Sequence, residues 1–396
     1  MTSTDNGRVI TKSERYREIL TVLARHGIGI VDAEFIKHEA GDQARAEHLR
    51  RACEELGTMF VKIGHLSIFQ GRKLLNNFMR QMPRLIIAIA ALLLGTLLPV
   101  VAFASSRSSL LANGDHIGTV FGTRLWYSVA GHGPPLFVVS TQYGIGTSYL
   151  RHSLTPLEKH FTLVYVDLRG NGNSEVPGDL TTISTRTDVS DLEQLRRLWG
   201  LEKLAILGHS GGGAVALGYA ETYPSHVSAI VLVDTEVIDL YPSPGTDRFR
   251  AKWRNDPAHA FAVQYYDDPV DNEEELNAYF HSTFAWYLAD PAKYLGQLRR
   301  IQEGTVIPWQ VFSSWLANDK RDAWKQSTEF PNVMSPTLIL VGRQDAECPV
   351  EIADAAHQGI RSSEEVIFEN SGHFPWLEEK QKFFATIEGF LRRTHI

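Results

Sequence analysis

A serine between small residues is the part of this 396-residue sequence that most clearly indicates chemistry. The run GHSGG, with Ser210 at its centre, follows the apolar stretch LAIL directly and precedes the small-residue stretch GAVALGYAETYP. A Gly-x-Ser-x-Gly turn between a strand and a helix is typical of a nucleophile elbow, where the neighbours must be tiny so that strand and helix can pass. At the helix N-terminus the dipole favours developing negative charge. We therefore predict that Ser210 is a nucleophile.

A serine hydroxyl needs a base, and the base needs a carboxylate that orients it. Asp345 follows the predicted strand PTLILVG, and His373 follows the predicted strand EEVIFENSG. The resulting order of Ser, Asp and His along the chain is the order expected after a nucleophile elbow. Glu347 and Glu351 are neighbouring carboxylates and alternatives to Asp345 as the orienting acid. His209, beside the nucleophile, is interpreted as a packing residue rather than a second base.

The elements that must position these residues alternate between short apolar runs and helical patterns from residue 116 onward. TRLWYSVAG and PLFVVS predict strands, and DVSDLEQLRRLWGL predicts a helix that buries Leu192, Leu195, Leu198 and Trp199 on one face. This alternation is typical of a mostly parallel α/β sheet with helices on both faces. Because ligands and catalytic groups collect beyond the carboxyl ends of such strands, we expect the candidate residues to meet there.

Four motifs carry a resemblance to a known family: DLRGNGNS, GHSGGG, GRQDAECP and NSGHFPWLEE. In this order and spacing they resemble the α/β-hydrolase fold family, and its proline iminopeptidase-like branch in particular, over about residues 117–393. The resemblance implies an α/β-hydrolase fold with a helical cap. It also implies a serine hydrolase that acts on a small ester, an amide or a peptide N-terminus, with no cofactor.

The resemblance implies an oxyanion hole as well, although the residues around it depart from the family pattern. The family's His-Gly-Gly-Pro-Gly loop stands here as STQYG (140–144), so by position the backbone N–H groups of Gln142 and Gly211 are the expected donors. Backbone donors survive a change of side chain. Iminopeptidases of this branch usually carry Trp after the nucleophile, where this chain has Gly211. The two departures leave the substrate class open.

Residues 236–335 interrupt the alternation and are predicted to form a helical cap rich in aromatic residues. Some of these aromatics are expected to line an apolar substrate pocket, and most to pack the cap. Glu236, at the start of the cap, is the candidate partner for a substrate amino group, and Tyr143 in the oxyanion loop is a second candidate substrate-binding residue. The acidic run from Asp267 to Glu275 is interpreted as a solvated face.

Composition excludes several functional classes. With 39 Lys and Arg against 46 Asp and Glu, the net charge is −7, and no basic stripe indicates binding to nucleic acid. Cys53 and Cys348 are the only cysteines, which excludes a disulfide framework and a cysteine-based zinc site. The serine hydrolase interpretation implies a small-molecule or short-peptide partner and no metal or organic cofactor.

A stretch without charge separates a basic N-terminal segment from the acidic remainder. LIIAIAALLLGTLLPVVAFA (85–104) is long enough to cross a bilayer, and basic residues precede it. Its end, Ala-Phe-Ala before Ser105, resembles a cleavage site. Residues 79–104 are therefore predicted to be a signal peptide or a transmembrane anchor, with a buried core helix as the other alternative. The catalytic domain would then be extracytoplasmic, either secreted or membrane-anchored.

The remaining segment, 1–78, is predicted to be a short helical extension. Its Lys62-Ile63-Gly64-His65 after EELG resembles a truncated N-terminal fragment of UbiB-like atypical kinases over residues 1–70, with the Gln of the Lys-x-Gly-Gln hallmark replaced. The hydrolase-like core is predicted in two parts, 105–235 and 336–396, on either side of the 236–335 cap.

Two other functional classes stay open beside the serine hydrolase. One is a membrane-anchored, non-catalytic binding protein on a hydrolase scaffold, and the complete set of Ser210, Asp345 and His373 argues against it. The other is a remnant kinase-family regulatory module, which depends on residues 1–70 alone and lacks the parts that ATP chemistry requires. Acyl transfer through Ser210 is the leading hypothesis.

Overall fold

The computed structural model describes residues 110–240 and 270–396 continuously, together with a few residues between them and two short strands near the N-terminus. The chain divides into two units, Met1–Val101 and Ala102–Ile396. In the first unit, β1 (Ser3–Asp5) and β2 (Arg8–Ile10) pair antiparallel, which the prediction of a helical extension over 1–78 did not include.

The rest of the 1–78 extension, its kinase-like motif and the 79–104 segment lie outside the described residues. Within the described parts of the chain, no helix is both long and apolar enough to span a bilayer. The anchor or signal peptide therefore stays a prediction from the sequence.

An eight-stranded sheet forms the centre of the second unit. Its strands are β3 Gly114–Val120, β4 Thr123–Gly131, β5 Pro135–Val139, β6 Thr162–Val166, β7 Leu204–His209, β8 Val227–Val233, β9 Thr337–Gly342 and β10 Ser363–Phe368. They lie in the order β10-β9-β8-β7-β5-β6-β4-β3. Only β4 runs antiparallel to its neighbours, so the prediction of a mostly parallel sheet is confirmed.

Helices join the strands and cover the sheet. They are α1 Ser148–Ser153, α2 Thr185–Trp199, α3 Gly211–Thr222, α4 Glu273–Ser282, α5 Pro291–Ile301, α6 Trp309–Asp322, α7 Val350–Gly359, α8 Pro375–Glu378 and α9 Lys380–Arg393. Short 3₁₀ turns lie at Thr155–Lys159, Leu180–Thr182, Pro224–His226, Thr283–Ala285, Gln326–Thr328 and Phe330–Asn332.

Successive residues of each central strand contribute to two different apolar clusters, as expected for a sheet that is buried on both faces. One cluster joins Val139 and Ile206 to side chains of α2, α3 and α7. The other joins Val138 and Leu207 to side chains of α1, α9 and the cap. The two faces together hold the carboxyl ends of the parallel strands rigidly, which is what a precise site requires.

Helix α2 follows the predicted pattern with one exception. Leu192, Leu195 and Trp199 are buried, but Leu198 is 40% exposed. Leu198 lies at the edge of the apolar face because 3.6 residues per turn rotates it away from the line of the other three. A serine at the N-cap, Ser184, accepts from the Thr187 N–H, and Gly200 ends the helix in a left-handed conformation.

Candidate active site

Ser210 joins β7 to α3 with φ 55° and ψ −127°, a conformation that is strained for any residue with a side chain. A Cβ atom at Gly208 would lie 2.3 Å from the carbonyl O of Gly212, and a Cβ atom at Gly212 would lie 2.6 Å from that of Val139. Both positions therefore require glycine. The turn has the geometry predicted for a nucleophile elbow.

His373 and Asp345 come together from the loops after β10 and β9. His373 Nδ1 lies 2.8 Å from Asp345 Oδ2, and both side chains are buried. Since the carboxylate accepts, Nδ1 carries the proton and Nε2 of the neutral ring is the base. Burial disfavours the charged imidazole, but the Asp345 carboxylate outweighs this effect, with help from Glu347 and Glu236, and the pKa of His373 lies above its ordinary value.

The side chains of Ser210 and His373 form no hydrogen bond with each other in this structure. Such bonds are often long before a substrate is bound, and they tighten in the reacting complex. Ser210 is 7% exposed and His373 is 3% exposed, so both lie in a nearly closed environment. The two residues are linked instead through their neighbours.

Of the three candidate acids, Asp345 is the one bonded to the histidine. Its other oxygen, Oδ1, accepts from the backbone N–H groups of Glu347 at 2.8 Å and Cys348 at 3.1 Å. Glu351 is exposed and forms an ion pair with Arg248. Two backbone N–H groups of the loop thus hold Asp345 Oδ1, while the His373 imidazole bonds to Oδ2.

Asp345, Cys348 and His373 also bring possible metal-ligating atoms within 4.8 Å of one another. Both Asp345 oxygens and His373 Nδ1 are already used in hydrogen bonds. Burial, followed by the nearby Asp345 charge, raises the pKa of the Cys348 thiol well above its ordinary value, which disfavours the thiolate that a metal would need. The donor set fits a hydrogen-bonded acid–base pair better than a metal ion.

The loop 140–144 packs against the elbow. A Cβ atom at Gly212 would lie 2.8 Å from the carbonyl O of Ser140. Among the described residues, the backbone N–H groups of Gln142 and Gly211 donate to no protein acceptor. These are the two predicted oxyanion donors, and both amides are therefore available to a negatively charged oxygen.

The space beside the nucleophile is filled by side chains of the same loop. A Cβ atom at Gly211 would lie 2.2 Å from Gln142 Oε1 and 3.0 Å from Tyr143 Oη. Gln142 is fixed through a 3.2 Å hydrogen bond from Nε2 to Thr185 Oγ1. The absence of a tryptophan at position 211 and the unusual loop sequence are therefore parts of one packing arrangement.

Glu236 lies next to the elbow, and its backbone N–H donates to the carbonyl O of Ser210 at 3.2 Å. Its side chain is 6% exposed and accepts a hydrogen bond from the Tyr143 hydroxyl. Burial raises the pKa of Glu236 to about 7, with the Tyr143 bond opposing the rise and the Glu347 charge adding to it. The two predicted substrate-binding residues are thus bonded to each other beside Ser210.

Asp234, which follows β8, is a buried carboxyl group that sequence reasoning misses. Its Oδ1 accepts from the Gly342 N–H at 2.7 Å, at the start of the turn that carries Asp345. Burial and the Asp345 charge raise the pKa of Asp234 well above its ordinary value, which favours the neutral acid. The available signal was the polar end of the strand AIVLVD, at the edge of the sheet where the site lies.

Comparison with known proteins decides the family. A family model of the alpha/beta hydrolase fold matches residues 134–380, which is more than half of the chain and includes Ser210, Asp345 and His373. The chain belongs to the α/β-hydrolase fold family. The predicted fold, with a mostly parallel sheet and helices, is confirmed in this region.

Among the relatives of this α/β hydrolase are proline iminopeptidases. That of Saccharolobus solfataricus is 27% identical over 291 residues, 70% of this chain and 91% of that protein. That of Thermoplasma volcanium is 26% identical over 260 residues, 63% of this chain and 86% of that protein. The predicted resemblance to the iminopeptidase-like branch is confirmed. These matches give no support to the kinase-like resemblance of residues 1–70.

Solved structures of the same fold include other hydrolases. An alpha/beta fold family hydrolase from Bacillus anthracis has a TM-score of 0.59 at 22% identity and covers 71% of this chain and 98% of its own. An esterase from Exiguobacterium antarcticum has a TM-score of 0.53 at 22% identity and covers 71% and 99%. At this identity the likeness shows the fold alone.

The described part of segment 236–335 of this α/β hydrolase contains the helices α4, α5 and α6, and its aromatic residues lie in two kinds of environment. Phe280, Phe284 and Trp286 are buried and pack the cap. Tyr287 and Trp315 contact the site instead: Tyr287 lies with its ring centroid 5.3 Å from that of His373, and Trp315 lies 4.6 Å from the ring of Tyr143. That some cap aromatics line a substrate pocket stays a prediction.

Two other predictions on the cap fall only partly within the described residues. Trp253, Phe261, Tyr265 and Tyr266 lie outside them, as do Asp267 and Asp268. The described end of the acidic run, Glu273–Glu275, forms the first turn of α4, where carboxylates favour the positive end of the helix dipole. Glu273 and Glu274 are exposed, in agreement with a solvated face.

Proposed function

We propose that this chain is a serine hydrolase that works by acyl transfer through a covalent acyl-enzyme. The observation that carries the proposal is the buried His373–Asp345 hydrogen bond of 2.8 Å, found at the same sheet edge as a serine on a strained elbow. Ser210 is the nucleophile, His373 the base and Asp345 the group that orients the imidazole. The N–H groups of Gln142 and Gly211 stabilise the oxyanion.

The proposed reaction has two halves. His373 Nε2 removes the proton of the Ser210 hydroxyl as its oxygen attacks the carbonyl carbon, and the ring then protonates the leaving group. Water attacks the acyl-enzyme in the second half, again with His373 as the base, and the acid is released. Asp345 stabilises the imidazolium in both halves without becoming protonated itself.

The substrate class follows from the carboxylate of Glu236. It lies in a buried environment beside Ser210, where it accepts from the Tyr143 hydroxyl, and among the described residues no Lys or Arg forms an ion pair with it. A buried carboxylate without a cationic partner is unfavourable unless a ligand supplies the cation. We propose that a substrate amino group does so, which favours an aminoacyl amide or a peptide N-terminus. The proline iminopeptidases among the relatives support this proposal.

A neutral ester is the second candidate substrate. The aromatic residues of the cap favour an uncharged acyl group, and an ester needs less protonation of its leaving group than an amide does. The esterase among the structural neighbours shares the fold with this chain and is not evidence for its substrate. We propose that short-chain esters are hydrolysed as a secondary activity of the same Ser210.

Labelling with a fluorophosphonate probe tests the proposal without knowledge of the substrate. Wild-type protein should become labelled at Ser210, as identified by mass spectrometry of the labelled peptide. The variant Ser210→Ala is the matched control and should remain unlabelled. A wild-type protein that stays unlabelled while folded would favour the non-catalytic binding protein instead, whether secreted or anchored through residues 85–104.

The substitution Glu236→Gln separates the two substrate classes. It should raise KM for proline β-naphthylamide about 10–100-fold, because a hydrogen bond to a charged group contributes about 1.5–3 kcal/mol. The rate for p-nitrophenyl butyrate should change only a few-fold, since that substrate has no amino group. In the wild-type protein KM for the amide should fall as the pH rises through about 7, where Glu236 ionises.

The exposed Glu274→Gln on the cap is the control for this change, and neither substrate should respond to it. Equal effects of Glu236→Gln on the amide and the ester would contradict the role of Glu236 as an amine partner. Such effects would not contradict the proposal that the chain is a serine hydrolase.

A further inference from the structure

His209, the last residue of β7, bonds to the backbone of the residue that the proposed reaction uses as its base. Its Nε2 lies 2.9 Å from the carbonyl O of His373, and its Nδ1 lies 2.8 Å from the hydroxyl of Tyr149. All three side chains are almost completely buried. His209 is also the covalent neighbour of Ser210, so one ring connects the elbow to the histidine loop.

The partners of His209 determine which of its nitrogens carries the proton. A carbonyl oxygen can only accept, so Nε2 must be the donor to His373. On a neutral ring Nδ1 then has a lone pair, which accepts the Tyr149 hydroxyl proton. Burial, reinforced by the nearby His373, lowers the pKa of His209 well below its ordinary value, which agrees with a neutral ring.

The backbone of His373 is consequently held at both ends. Its N–H donates to the carbonyl O of Tyr287 at 2.7 Å, and its carbonyl accepts from His209. The rings of Tyr149, His373, Phe374 and Trp376 surround the His209 ring with centroids 4.6–5.7 Å away. The His209 ring is thus enclosed by aromatic rings and bonded at both of its nitrogens.

We propose that His209 is a positioning residue, which sets the distance between Ser210 and His373 by donating from Nε2 to the His373 carbonyl. This inference rests on the proposed serine hydrolase function. It replaces the interpretation of His209 as a packing residue. Because Ser210 and His373 share no hydrogen bond of their own, the link through His209 fixes their relation before a substrate binds.

Two substitutions at His209 test the proposal because they differ in one hydrogen bond. The amide nitrogen of Gln reaches about as far as His Nε2, whereas that of Asn reaches only about as far as Nδ1. His209→Asn should lower kcat for p-nitrophenyl butyrate about 10²-fold with KM nearly unchanged, since a displacement of about 1 Å can cost that much. His209→Gln should recover most of the lost kcat.

Thermal unfolding of both variants separates positioning from stability. Each substitution removes the ring, so the two should lose similar amounts of stability while differing in kcat. Equal kcat values for His209→Asn and His209→Gln, whether both are high or both are low, would overturn the proposal. A wild-type protein without Ser210-dependent activity would instead overturn the function on which the proposal rests.

Tyr149→Phe provides a second test if the His209 variants fail to fold. It keeps the shape of the ring and removes only the hydroxyl that donates to His209 Nδ1, while the His373 carbonyl still requires the Nε2–H tautomer. We expect kcat to fall several-fold at unchanged KM, because the His209 ring loses one of the two hydrogen bonds that fix its orientation. An unchanged kcat in a folded Tyr149→Phe protein would overturn the proposal, since the ring would then need no second bond to position the His373 carbonyl.

Discussion

Replacing Ser210 with Ala should lower kcat for ester hydrolysis by roughly 10⁶-fold, and replacing His373 with Ala should do about the same. The physical reason is that neither group works alone: the hydroxyl is a poor nucleophile without the base, and the base has no proton to remove without the hydroxyl. The measurement is steady-state hydrolysis of p-nitrophenyl butyrate by the two single variants and the double variant.

The double variant distinguishes a catalytic unit from two independent contributions. Ser210 and His373 acting together predict a double variant about as slow as either single one, with residual rate from the oxyanion donors and binding. Losses that multiply in the double variant would contradict the assignment. Circular dichroism of each protein shows whether the fold is kept, as expected for changes that only remove atoms.

Asp345→Asn should lower kcat by about 10⁴-fold although it changes the volume of the side chain very little. The amide presents an N–H group where the carboxylate accepted the bond from His373 Nδ1. The imidazole then favours the tautomer with its proton on Nε2, which is the atom that must act as the base. The variant also loses the charge that raises the pKa of His373.

Glu347→Gln is the matched control for this prediction. Glu347 contributes its backbone N–H to Asp345, and this donor survives the substitution. Its side-chain charge is only one of several that act on His373, so kcat should change a few-fold at most. The reverse outcome, with Glu347→Gln the slower variant, would make Glu347 the orienting acid.

Sequence patterns within a few residues of the site were enough to predict the nucleophile elbow and the loops that carry Asp345 and His373. The glycines at 208 and 212 are required by contacts with residues close in sequence or on the adjacent strand, and such turns have a recognisable spacing. Asp345 and His373 could also be predicted from nearby sequence, because each follows an apolar run that indicates a strand. The bond between them then follows from the parallel pairing of β9 and β10.

Contacts between distant parts of the chain could not be predicted in the same way. Tyr143 and Glu236 are 93 residues apart and meet only because β5 and β8 flank β7 in the sheet. His209 bonds to a carbonyl 164 residues away, and no residue type in the sequence signals a backbone acceptor. Asp234 was missed for a related reason, since its partner is a backbone N–H of the next strand.

The packing of Gln142 and Tyr143 over Gly211 restricts the order in which such a site can change during divergence. A chain with a bulky residue after the nucleophile cannot hold this pair of side chains in the same positions. Conversely, a chain that carries the pair accepts a side chain at 211 only if Gln142 moves, because a Cβ atom there would lie 2.2 Å from Gln142 Oε1 and a shift of Gln142 disturbs its bond to Thr185. The effect of a substitution at 211 therefore depends on the residue at 142, which is epistasis. We expect an iminopeptidase-like tryptophan to be tolerated best when the 140–144 loop is exchanged in the same step.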